Sequence, residues 1–139
     1  MAVTYTKTAF PKIEEKLYKL LNNEFPSIYI SSEFVEQKTD ESIRIHLASS
    51  EDVLTTNVFE RRAFEIELFH YYNDVDSIQR TEYVRNRCDR LKALLCDNQS
   101  IEGYWYDLKI PVIDYDLDTD IENMSITKLT VTMENHDAI

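Results

Sequence analysis

At 139 residues with a formal net charge of −11, the chain is sized for one hydrophobic core and is repelled by phosphate, which argues against direct nucleic-acid binding. Hydrophobic residues make up 43% and charged residues 29%, ordinary for a globular domain, and no apolar run approaches the roughly 20 residues that span a bilayer. The single glycine, Gly103, excludes a glycine-rich loop of the kind that cradles a nucleotide phosphate.

One domain is expected over residues 1–139, with 1–7 and 134–139 flexible. The first eight residues lack a basic region followed by an apolar core, so no secretory signal is expected. A first helix is predicted over residues 8–25, capped by Thr8, with Pro11 tolerated in its first turn and Pro26 ending it. Phe10, Ile13, Leu17, Leu20 and Leu21 fall on one stripe of it.

Strands are predicted over residues 28–36 and 42–48, joined by residues 37–41 as a hairpin loop. In the second, Ile43, Ile45 and Leu47 point inward, and Arg44 and His46 outward. Residues 49–60 read as a longer loop. The run from Arg61 to Tyr72, R-R-A-F-E-I-E-L-F-H-Y-Y, gives the clearest alternation, with Phe64, Ile66 and Leu68 opposite Glu65 and Glu67. His70 continues the inward phase and is expected to be a hydrogen-bonded residue at the edge of the core.

Ser77 is the expected cap of a second helix with the buried stripe Val84, Cys88, Leu91, Leu94 and Leu95. A fourth strand begins near Tyr104, placing Tyr106, Leu108, Ile110 and Val112 on one face and Trp105, Asp107 and Lys109 on the other. Beyond Pro111 the apolar parity flips to Tyr115 and Leu117, the sign of a bulge or bend. A last strand covers residues 124–133. The order α-β-β-β-α-β-β gives an α+β fold: a largely antiparallel mixed sheet with both helices on one face.

Chemistry-bearing patterns are sparse. Asp114-x-Asp116-x-Asp118-x-Asp120 begins like a calcium loop, but Thr119 stands where the sixth-position glycine belongs and Ser125 where the closing glutamate belongs, so no metal site is expected. Glu65 and Glu67 read as partners of cations on neighbouring strands rather than as a catalytic pair. Cys88 and Cys96 lie about 12 Å apart along one helix, out of disulfide reach, and read as reduced thiols of a cytosolic setting. No catalytic residue, cofactor site or enzyme activity is expected.

Interaction surfaces are a stronger theme. Five of the chain's 15 basic residues, Arg80, Arg85, Arg87, Arg90 and Lys92, sit on the second helix, and such segregation lets copies attract head to tail. Arg87 falls inside the apolar stripe, so it either pairs with an internal carboxylate or reaches another subunit. Phe69, Tyr71 and Trp105 fall on the outward phase, either as interface aromatics or buried under a loop such as 49–60. Arg61, Arg62, Arg80 and Arg87, with those three aromatics, form the expected subunit-interface set.

The whole pattern resembles the tail terminator (tail-completion) proteins of long-tailed bacteriophages. The resemblance rests on the helix K-I-E-E-K-L-Y-K-L-L, the extended pair ending E-S-I-R-I-H-L, the strand R-R-A-F-E-I-E-L-F, and the helix R-N-R-C-D-R-L-K-A-L-L running into Y-W-Y-D-L-K-I-P-V-I-D-Y. It covers about residues 10–133. It implies a homo-hexameric ring that caps the tail tube, halts its polymerisation and joins it to the head-closure or connector protein. DNA would pass through the lumen as cargo, and no membrane would be involved. The expected location is the virion tail or neck, after assembly in the host cytoplasm. Another neck or head-closure ring protein, or an acidic DNA-mimic binding module, are the alternatives.

Overall fold

The computed structural model describes residues 9–31, 40–55, 59–117, 119 and 121–138. The expected Thr8 cap and the flexible segment 1–7 lie outside them. The elements are α1 (Ala9–Glu24), β1 (Tyr29–Ser31), β2 (Glu41–Thr55), β3 (Phe59–Asn73), α2 (Ser77–Cys96), β4 (Tyr106–Asp114) and β5 (Met124–Ala138), in the expected α-β-β-β-α-β-β order. They build an α+β fold on one five-stranded sheet with the order β1-β2-β3-β5-β4. All pairings are antiparallel except β1 with β2.

Period-2 patterning makes one face of this sheet the core. Ile43 and Ile45 from β2, Phe64, Ile66 and Leu68 from β3, and Leu129, Val131 and Met133 from β5 are all buried. Ile13, Leu17 and Leu21 of α1 and Val84, Cys88, Leu91 and Leu95 of α2 join the same cluster, so both helices cover one face. The main-chain amides of Ile78 and Gln79 donate to the Asp76 carboxylate at 3.0 and 3.1 Å. Asp76, not Ser77, is therefore the cap of α2.

Several expected boundaries need correction. β1 runs parallel to β2, Ile30 facing Ile43, and a two-strand hairpin cannot join parallel neighbours. Most of the supposed hairpin loop, residues 37–39, lies outside the described residues. Segment 49–60 is no long loop: β2 continues to Thr55 and β3 starts at Phe59, with Thr55 opposite Glu60. Residues 134–138 are not a loose tail; they extend β5, with Glu134 opposite Ala63 and Ala138 opposite Phe59.

β4 carries two register shifts, between Tyr106 and Lys109 and between Lys109 and Val112. The second holds Pro111, where a missing N–H suits a bulge, as the parity flip indicated. The first holds Asp107 at φ 55, a left-handed backbone that breaks the alternation counted back from Leu108.

Candidate functional site

Glu41, the first residue of β2, is the centre of the most elaborate polar cluster. Counting back from Ile45 and Ile43, its side chain enters the inward phase and meets α2 in the other layer. Glu41 Oε2 takes bonds from Arg87 Nε at 2.9 Å and His70 Nε2 at 2.6 Å. Tyr83 Oη donates to Glu41 Oε1 at 2.5 Å. Tyr83 stacks on Tyr72 with ring centroids 4.1 Å apart, and the Arg87 guanidinium lies 4.7 Å from the centre of the Phe25 ring.

Burial resists ionisation of Glu41, but the hydrogen bonds from His70 and Tyr83 and the charges of His70 and Arg87 outweigh it, holding the carboxyl below its ordinary value. Burial and the bond to Glu41 push the Tyr83 phenol up, so it stays a donor. Pairing with a carboxylate makes His70 Nε2 the donor in this bond. Nδ1 is buried with no hydrogen-bond partner among the described residues, and His70 itself is fully buried. This cluster clamps the start of β2 to α2 and fixes how the helix layer sits on the sheet.

The expected interface residues distribute as follows. Arg87 is satisfied inside the chain by Glu41, the internal one of its two readings. Arg80 donates to the Asp74 carbonyl and closes the turn from β3 into α2. Trp105 is not on the outer face: it is 0% exposed, and its indole Nε1 donates to the Asn98 carbonyl at 2.8 Å. The positive φ at Asp107 and the bridge between Ile101 and Trp105 turn the indole into the core. It is a member of the main core cluster, and segment 49–60 is strand rather than a covering loop over its described residues.

Tyr71 stays on the outward phase but is only 7% exposed. It stacks beside Phe69, centroids 6.4 Å apart, and the Arg44 guanidinium lies 5.6 Å from the centre of the Phe69 ring. Arg61 approaches Glu134 at 3.6 Å. Arg62 donates across the strand pair to Ser50 Oγ at 2.8 Å and lies over Phe64, 4.9 Å from its centre. Arg61 and Arg62 therefore share the distal end of the sheet, far from Arg80 and Arg87.

Cross-strand pairing dominates the outward face. Lys128 reaches Glu67 at 3.3 Å and Asp114 at 3.7 Å, and His46 lies 3.9 Å from Glu67. Lys109 instead pairs within its own strand, with Asp107 at 3.4 Å.

Burial drives the Cys88 thiol up to about 12, the opposite of what a nucleophile needs. No cluster of three or more His, Cys, Asp or Glu is placed to hold a metal among the described residues; Asp118 and Asp120 lie outside them. One open depression of about 320 Å³ lies between α2 and the end of β4, lined by Thr81, Val84, Arg85, Asp89, Tyr115 and Asp116. No helix is long and apolar enough to cross a membrane among the described residues.

Sequence reasoning passed over the distal end of β2. Residues 48–54 are all exposed although they sit in a strand. Val53 and Leu54 are 42% and 48% exposed. Beside Ser49–Thr55, no strand pairs with the edge of β2 away from β3 among the described residues. Exposure on both faces erases alternation, so the only signal was the apolar pair in an acidic segment. Comparison with protein-family models and with curated proteins finds no match to the chain.

Proposed function

We propose that the chain is a structural ring protein of a long-tailed bacteriophage: a tail terminator whose copies cap the tail tube, stop its growth and meet the head connector. The observation that carries this reading is the distal end of the β2-β3-β5 sheet, where β2 is the outer strand among the described residues and Val53 and Leu54 are left exposed. Exposed apolar side chains on a strand edge are costly in a solitary molecule and useful in an assembly.

The α+β order, the family resemblance and the charge support the same reading. A net charge of −11 suits a ring through which DNA slides, because a negative lumen does not hold phosphate. Charged seams between such subunits require local pairing of opposite signs. Cryo-electron microscopy of particles from a phage encoding this chain tests the proposal. A ring of this protein between tube and connector is the expected result, and particles that lack the chain overturn it.

A further inference from the structure

Glu65 and Glu67 stand two residues apart on the outward face of β3, yet only Glu67 is balanced there. Lys128 and His46 reach Glu67, whereas Glu65 is exposed and forms no ion pair among the described residues. Its neighbours across the sheet are Ser49 on β2 and Thr132 on β5. Glu51 stands opposite Ala63, so it shares the outward face with Glu65 as a diagonal neighbour, about 7 Å away. It too is exposed and without an ion pair among the described residues. Like charges at this spacing repel, and a cation supplied from outside relieves both.

The open side of β2 runs beside them. Its register shifts fall between Leu47 and Ser49 and between Asp52 and Leu54. Ser49–Asp52 therefore keeps an unbroken register with β3, while its other side pairs with no strand among the described residues. Leu54, opposite Arg61, adds an exposed apolar side chain to the same face. Main-chain donors and acceptors, two carboxylates and a leucine thus lie in one line, the combination that strand addition uses.

We propose that the distal edge of β2 receives an extended, basic segment of a different protein. The segment pairs with Ser49–Asp52 through main-chain hydrogen bonds, sets a lysine or arginine over Glu51 and Glu65, and lays an apolar residue against Leu54. The inference rests on the ring reading in taking this end of the sheet as a contact surface, and goes beyond it in naming the partner's chemistry. Charge selects the occupant. A second copy offers no suitable strand among the described residues. The same stretch of β2 is acidic, and β1 has three residues and no cation. Lys109 of β4 is paired with Asp107, on a strand broken by two shifts and Pro111. A net charge of −11 further disfavours contact between copies at an acidic site.

A short synthetic peptide that alternates lysine with valine and carries a fluorophore is the probe. It is expected to bind the full-length chain in anisotropy titrations and to slow hydrogen exchange at amides of Ser49–Leu54. Glu51→Gln and Glu65→Gln are each expected to weaken binding about twofold to fivefold, the size of one exposed ion pair. Glu82→Gln, at an exposed position of α2, is expected to leave it unchanged. Methylating one alternate set of peptide amides should abolish binding, and methylating the other set should spare it, because only one set faces β2. Circular dichroism checks that each variant folds. A peptide that does not bind overturns the inference. So does binding that survives both methylations, or that Glu82→Gln weakens as much as Glu51→Gln, which is attraction to net charge alone. Ser49–Leu54 amides already protected without peptide on both sides of β2 also overturn it, since the chain itself or a second copy then covers the site. The ring reading is judged separately, by whether particles contain the chain.

Discussion

Glu41 Oε2 and Arg87 Nε sit 2.9 Å apart, joining the first residue of β2 to the middle of α2 across the two layers of the fold. Both side chains are largely shielded, at 11% and 17% exposure. Removing one partner leaves the other charge poorly solvated. Glu41→Gln is expected to destabilise the fold by about 2–3 kcal/mol, somewhat under the cost of breaking a fully buried pair. Chemical denaturation at neutral pH measures it.

The same carboxylate sets an acid limb of stability. Its folded value lies below the ordinary 4.5, so folding favours the ionised form. The contribution is complete above the unfolded value and is lost as pH falls from 4.5 through the lower folded value. Urea midpoints followed across that window should drop more steeply for the parent chain than for Glu41→Gln. Parallel curves would remove Glu41 from the acid transition.

Cys88 should resist thiol reagents. Its thiol is buried and pushed up to about 12, so almost no thiolate exists at neutral pH. Cys96 is partly exposed. Mass spectrometry after maleimide treatment of native protein should find the label on Cys96 first, with Cys88 modified at a comparable rate only after denaturation.

Trp105 is the sole tryptophan and is wholly buried. Native fluorescence should be blue-shifted and should move red on unfolding. Trp105→Ala is expected to cost about 3–5 kcal/mol through lost burial and the cavity left behind. Loss of its bond to the Asn98 carbonyl places the value toward the upper end. Thermal or urea unfolding followed by circular dichroism measures the change.

Asp76→Ala removes the acceptor for the amides of Ile78 and Gln79, and a cost of about 1 kcal/mol is expected. Ser77→Ala should cost less than Asp76→Ala. The same denaturation assay ranks the two.

How much of this was legible in the sequence depended on whether a segment has one wet and one dry side. The stripes of α1 and α2 and the alternation from Ile43 and Phe64 onward are such cases, and they place the core correctly. The distal stretch of β2 is wet on both sides and so resembled a loop. Trp105 was assigned to the wrong face because parity was carried across Asp107, whose positive φ resets it. At the polar cluster, Arg87 announced its need for a carboxylate and His70 its inward position. Their shared partner was hidden, because Glu41 had been placed in a turn. Extending the inward phase of Ile43 back two positions finds it.

The two borders of the sheet are unlike in kind. β4 presents a broken margin: two bulges, a left-handed aspartate and a proline without an N–H. Such a margin refuses another strand. Edge-to-edge growth of folded copies needs receptive borders on both flanks, and the described residues offer one at most. Such growth would therefore stop at the β4 flank.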